Sequence, residues 1–264
     1  MNALEKIVAR KFKEVAERKN ITSNKDLEKR SLFLKQTYSL KQALLNSSKF
    51  GIIAEYKRKS PSKGIINNQL KVEEVTQGYV KAGAAALSVL TDIDFFDGSD
   101  EQFINARLVN EVPMLRKDFI IDEYQILESK SIGADVILLI AANLQPSQTK
   151  TLASFAKSLN LEVLLEIHDK EELHSHLNEF IDVVGVNNRN LKTMKTDLNT
   201  SRELSDIIPK EFLKISESGI NDPKVLNDLK VNYGYNGFLI GEYLMQQPNP
   251  GFALENFIKE IIQN

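Results

Sequence analysis

The stretch PMLRKDFIIDEYQILESKSIGADVILLIAA, residues 113 to 142, decides the fold. It opens on a short apolar run closed by charges, PMLRKDF (113–119), and passes through EYQILESKSIGA, whose apolar residues recur at three- and four-residue spacing. It ends on DVILLIAA (135–142), which is apolar almost throughout. A continuous apolar run suits a strand covered on both faces, and parallel strands need a crossover of a dozen or more residues between them. The segment reads as strand, helix and parallel strand.

Working outward, the unit repeats. GIIAEYK (51–57) and ALSVLTD (86–92) precede it, and EVLLEIH (162–168), VVGVNNR (183–189), FLKISESG (212–219) and GFLIGE (237–242) follow. The eight strand starts run from 51 to 237, about 27 residues apart, which fits one strand, one helix and two short loops. Eight such units predict an α/β fold, the closed (β/α)8 TIM barrel, which typically needs about 250 residues. With 264 residues the chain is expected to form a single barrel domain over 1–264. A doubly wound sheet would use fewer strands and open with a glycine fingerprint, whereas here the first strand runs into KRKSPSKG.

The intervening segments, from VEEVTQGYVKAG to DPKVLNDLKVN, carry helical periodicity and predict an outer ring, with Pro250 to Asn264 as the last helix. Asp222-Pro223 reads as an N-cap followed by proline in the first turn, and Ser147 and Thr200 stand at cap-like positions. Residues 1–50 precede the first strand. Periodicity over Leu4 to Lys19 and Leu34 to Leu45, around the polar ITSNKD, predicts a two-helix extension, either a structural cap on the barrel or a cover over its mouth.

Thirty-four basic and 36 acidic residues leave a net charge of -2, which gives no reason to expect a nucleic acid or an anionic membrane as partner. Cysteine is absent and only His168, His174 and His176 are available, so no metal is expected. No apolar run approaches the roughly 20 residues that span a bilayer, and the first twenty residues lack a signal-peptide core. The expectation is a cytoplasmic protein, a monomer or a weak homo-oligomer.

In such barrels chemistry sits at the carboxyl ends of the strands. Those ends carry Glu55 and Lys57, Lys117, Glu166, Asn187 and Arg189, and Glu217 with Ser218. Two-residue periodicity turns Glu55 and Lys57 to one side and leaves Ile52, Ala54 and Tyr56 for the helices, and it aligns Glu217 with Ile215. A single charge at a strand end is ordinarily a solvated loop residue. Several on different strands of one barrel, turned inward, form a lysine and glutamate cluster suited to acid–base work. Phosphate is expected where strands seven and eight give way to SESG and IGE, at Gly219, Gly241 and Glu242, with Lys59 and Ser60 on the same side.

IIAEYKRKSPSKG, ALSVLTDIDFFDGS, PMLRKDFIIDEYQI, ADVILLIAANL, LEVLLEIHD, VGVNNRNL, SESGI and FLIGEYLM resemble, in order, the strand blocks of the indole-3-glycerol-phosphate synthase family. The resemblance covers nearly the whole chain. It implies a cofactor-free lyase of tryptophan biosynthesis that converts 1-(2-carboxyphenylamino)-1-deoxyribulose 5-phosphate to indole-3-glycerol phosphate, carbon dioxide and water. It implies Lys117 as general acid, Glu166 as the second proton-transfer group, and Glu55 and Lys57 as the first-strand pair. Asn187, Glu217 and Ser218 fall on positions that orient ring and sugar, Arg189 supports them, and Phe119 falls on an apolar wall. A sister ribulose-phosphate isomerase would share the phosphate loops but not LRKDF together with LLEIH. A binding barrel without turnover would need neither Lys117 nor Glu166.

Overall fold

The computed structural model describes residues 2–46, 50–191 and 193–263. Eight parallel strands close a barrel: β1 (Ile52–Tyr56), β2 (Ala86–Leu90), β3 (Met114–Lys117), β4 (Val136–Ile140), β5 (Glu162–Ile167), β6 (Val183–Asn187), β7 (Leu213–Glu217) and β8 (Gly237–Ile240). Each pairs with its neighbours in sequence, and β8 returns to β1. Every strand lies inside its expected block, and the polar tails of the blocks form the turns above the strand ends.

Strand alternation divides the core in two. Ile52, Ala54 and Tyr56 face the helices, as do Ile137 and Leu139 of β4 and Val163 and Leu165 of β5. Ile53, Leu115, Val136, Leu138, Leu164, Val183, Ile215 and Leu239 fill the barrel interior. Both faces of each strand are therefore apolar, as the unbroken runs required. Register then sets the charges at one level. Glu55 pairs with Ser88, Leu90 with Lys117, Ile140 with Glu166, and Asn187 with Glu217.

The outer helices follow the expected segments. Asp222 caps Pro223–Tyr233 through its side chain, with proline in the first turn. Ser147 and Thr200 are not caps. Both lie inside helices, Pro146–Ser158 and Asn199–Leu204, because each helix starts a residue earlier, and Gln145 and Leu198 hold the cap positions. The last helix is Pro250–Gln263, and Asn264, its expected end, lies outside the described residues, as do Met1, Lys192 and residues 47–49.

The leader differs from a simple helix pair. The first helix, α1, spans Ala3–Ile21, and a short α2 (Asn24–Glu28), capped by Ser23, occupies the polar stretch. Residues 34–39 are not helical; α3 covers only Leu40–Leu45. Tertiary hydrogen bonds explain this, since the Tyr38 N–H donates to Asp135 and the Thr37 hydroxyl to the Asn160 carbonyl, holding the chain along the barrel floor. Leu40 and Leu44 of α3 join the interior cluster, as do Leu4 and Ile7 of α1. A Cβ on Gly237, at the start of β8, would press on Leu44, so α3 plugs the bottom. Leu4 and Ile7 line the cavity at the other end, so α1 both caps the barrel and walls its mouth.

Candidate active site

A cavity of about 600 Å³ opens at the carboxyl ends of the strands, within the range of small-molecule sites. Of the residues singled out in the sequence, Glu55, Lys57, Ser60, Lys117, Phe119, Glu166, Asn187, Arg189, Glu217, Ser218, Gly219, Gly241 and Glu242 all line it. Lys59 does not; its ammonium donates to the Asp94 carbonyl at 3.1 Å.

Lys117 sits at the centre. Its Nζ donates to Glu166 Oε2 and to Glu217 Oε2, both at 2.8 Å, while Asn187 Nδ2 donates to the other Glu166 oxygen at 3.0 Å. On the opposite strand pair, Lys57 Nζ donates to Glu55 Oε1 at 2.7 Å, with the Ser88 hydroxyl 3.4 Å from Oε2. Burial favours the neutral form of every ion here, so the balance depends on partners. Desolvation would lower the Lys117 ammonium, but Glu166, Glu217 and Glu55 outweigh it and hold it above its usual range.

The two carboxylates beside Lys117 part company. Burial raises both, yet Glu166 ends below the usual range because Lys117, His168 and the Asn187 amide favour its anion. Glu217 shares only Lys117, faces the negative charges of Glu166 and Glu55, and leaves Oε1 buried without a hydrogen bond; burial pushes it up to about 7. Two carboxyls on one ammonium thus stand at different readiness to hold a proton, the arrangement that separates acid from base.

Two glycines make room for this layer. A Cβ at Gly185, on β6 beside Glu166, would collide with Glu217 Oε1, and one at Gly241 would collide with the Glu55 side chain. Neither glycine is there for backbone freedom, since neither has a left-handed φ. Ser218 and Gly219 are different: φ of 67° and 80° bends the chain sharply off β7. The Asn188 amide fixes that bend, donating to the Ser216 hydroxyl and to the carbonyls of Glu217 and Ser218 at 3.0 to 3.1 Å.

At the rim, Arg189 donates to Glu242 Oε2 and to the Ser62 hydroxyl, both at 3.1 Å, and Lys63 approaches Glu242 Oε1 at 3.6 Å. A carboxylate side chain repels phosphate, so the use of Glu242 at an anion site would be to hold Arg189 and Lys63 nearby. The opposite wall is apolar: Leu4 and Ile7 of α1, Phe96, Leu138, and Phe119, whose ring centroid lies 6.0 Å from that of Phe96. Sequence reading missed Ser62, Lys63, Phe96, Asn188 and the α1 residues. Alternation could have indicated Ser88, two residues before Leu90; nothing local marked Leu4 or Ile7, since their partners are distant in sequence. Among the described residues no cluster of three His, Asp or Glu could hold a metal ion.

A second charged cluster lies just below the mouth. Lys11 of α1 reaches Glu14, Asp92 and Asp118, each at 2.9 Å. Asp118 also accepts from the Thr91 hydroxyl at 2.6 Å and faces the fully buried Arg116. Burial raises the Asp118 carboxyl, but Lys11 and Arg116 overcome that and hold it far below the carboxylate range.

A (β/α)8 barrel with buried lysine–carboxylate pairs at its mouth, cations at one rim and an apolar wall opposite has the architecture of a barrel enzyme with a small-molecule site. The chain belongs to the indole-3-glycerol phosphate synthase family, whose model matches residues 4–259. It is 47% identical to indole-3-glycerol phosphate synthase of Bacteroides thetaiotaomicron over 258 residues, 98% of each chain. It is 41% identical to that of Carboxydothermus hydrogenoformans over 259 residues, 96% of this chain and 98% of the relative. Among solved structures, tryptophan synthase subunit alpha from Legionella pneumophila superposes with a TM-score of 0.62 at 14% identity, covering 85% of this chain and 97% of that one. That likeness shows the shared barrel alone.

Proposed function

We propose that this cavity carries out the family's reaction by lysine and glutamate acid–base catalysis, with Lys117 as the acid of ring closure. The family makes the chain a carboxy-lyase of tryptophan biosynthesis that acts on a phosphorylated small molecule, converting 1-(2-carboxyphenylamino)-1-deoxyribulose 5-phosphate to indole-3-glycerol phosphate. The observation that carries the assignment is Lys117 held charged between two carboxylates and opening on the cavity.

When the aromatic carbon attacks the ribulose carbonyl, the carbonyl oxygen gains negative charge, and an ammonium beside it stabilises that charge and then supplies a proton. Loss of carbon dioxide from the same ring carbon restores its conjugation. Dehydration then needs a base for the proton next to the ring nitrogen and an acid for the leaving hydroxyl. Glu166, kept ionised, suits the base, and Lys57 with Glu55 suits the acid on the other side. Lys57 also meets the substrate carboxylate. Asn187, Glu217 and Ser218 orient ring and sugar hydroxyls, and Phe119 supports the ring. The phosphate lies at Gly219, Gly241 and Ser60, with Arg189 and Glu242 shaping the rim.

The helices of residues 1–50 belong, in this reading, to one domain with the barrel over 1–264, supported by the cavity wall that α1 supplies. A monomer in the cytoplasm fits a biosynthetic enzyme with a phosphorylated metabolite as substrate, and neither a nucleic acid nor a membrane has a part in the chemistry. No described helix is long and apolar enough to cross a bilayer.

The test is the fluorescence of indole-3-glycerol phosphate formed by the purified protein from its substrate. Lys117→Ala and Glu166→Gln should each lower kcat by about 100-fold or more while a substrate-like phosphate inhibitor still binds within a few-fold. Wild-type-like turnover in either variant would remove that residue from the chemistry.

A further inference from the structure

One ionisable side chain beside the site takes no part in the chemistry above. His168 follows β5 directly, and its ring meets the Glu166 oxygen that Lys117 leaves free. Its backbone N–H donates to Glu172 Oε2 at 2.7 Å, and its Nδ1 lies 3.1 Å from the same oxygen. Its Nε2 lies 3.5 Å from Glu166 Oε1, buried and without a hydrogen bond.

An ionised carboxylate only accepts hydrogen bonds, so Nδ1 facing Glu172 carries a hydrogen. In a neutral imidazole the Nε2 lone pair would then point at a second carboxylate in a buried place, two negative poles with no compensation. A proton on Nε2 makes both contacts attractive. The charged groups facing the ring are Glu172 from the helix Lys170–His176, Glu166 from β5 and Glu217 from β7, with Lys117 of β3 beyond Glu166. The turn Ala141–Asn143, packed on both β5 and that helix, brings no ionisable group. Burial pulls the imidazole down, and the Glu172 hydrogen bond with the charges of Glu166, Glu172 and Glu217 holds it above its ordinary value.

We propose that His168, clamped by Glu172, is a positioning residue for the reaction: a protonated imidazole that keeps the Glu166 carboxylate ionised and turned toward Lys117. This rests on the reading of Glu166 as a proton-transfer group. Without His168, Glu166 would retain Lys117 as its cation but lose the one behind it, and a carboxylate that loses a neighbouring cation takes up its proton at higher pH.

The experiment has two arms. With only three histidines in the chain, nitrogen-15 NMR of the labelled full-length protein can resolve His168 through its ring-to-backbone correlations. Both ring nitrogens should be protonated at pH 7; a neutral His168 there overturns the proposal whatever the variants do. The second arm is the pH profile of His168→Asn, which keeps a donor for Glu172 and places nothing at Nε2. The acid limb of kcat should move up by about one pH unit, so that kcat falls by up to about tenfold below the wild-type limb and under about twofold two units above it, with KM within about twofold. A uniform loss across pH with the limb in place would mark a merely structural residue and overturn the proposal. Glu166→Gln separates the two readings. If it turns over like wild type, the role of Glu166 has failed and this inference with it; if it is inactive while the His168→Asn profile superimposes on wild type, only this inference fails.

Discussion

Lys117 and Lys11 are chemically alike and put to opposite uses. Each ammonium is ringed by carboxylates at 2.8 to 2.9 Å, and each is held above its ordinary pKa against the pull of burial. The difference is access. The Lys11 side chain is 1% exposed and its partners Asp92 and Asp118 are sealed with it, whereas Lys117 is 14% exposed on the cavity. Their partners differ too: Asp118 is driven far down by two cations, while Glu217, with one shared cation, rises to about 7. A saturated ion cluster fixes structure, and an under-saturated one keeps a proton available.

The largest effect that could break this contrast is on stability. Lys11→Met would leave Glu14, Asp92 and Asp118 buried with one cation fewer, and removing one partner of a buried ionic cluster costs about 3–5 kcal/mol. Calorimetry should show Tm lower by roughly 6–20 °C for a chain of this size. A loss under about 3 °C would mean that the other contacts of α1, Leu4, Ile7 and Val15 with the Arg10 and Arg18 ion pairs, hold it without the Lys11 cluster. Lys117→Met should instead change Tm by only about 3 °C, because Glu217 can take up a proton, even though turnover is lost.

The smallest effect is in pH dependence. A carboxyl at about 7 in the folded protein, against an ordinary 4.5, binds its proton more tightly folded than unfolded. Its contribution to stability is therefore full below about 4.5 and lost as pH rises through 7. Glu217→Gln is neutral at every pH, so its stability relative to wild type should rise between about pH 5 and 8, on the order of 1–3 kcal/mol. Asp118 has the opposite sign, with stability present above its unfolded value and lost as the medium becomes strongly acidic. A Glu217→Gln difference flat with pH would place both clusters in the saturated class.

The barrel was legible because its strands are buried on both faces, and such strands announce themselves as apolar runs at regular intervals. The gathering of charges at the mouth was legible for a related reason: charges at the ends of those runs, such as Lys117 and Glu166, have few structural reasons to be there. Lys11 was not legible. In LEKIVARKFKEVAERK it is one of several lysines at solvent-like positions, and only the fold brings Asp92 and Asp118 to it. The non-helical run over 34–39 was hidden likewise, because Asp135 and Asn160 compete there with local helical preference. His168 reads as a strand-end residue until Glu172, one helical turn on, is seen to hold it.

The hollows at Gly185 and Gly241 carry a consequence for anyone who would redesign this enzyme. Neither residue bears a functional group, yet together they set where the Glu55 and Glu217 carboxylates of the cavity floor can lie. A library that protects every charged side chain but randomises these two codons would discard activity without touching an acid or a base. Conversely, transplanting the charged residues onto another barrel would need the same two absences in the host.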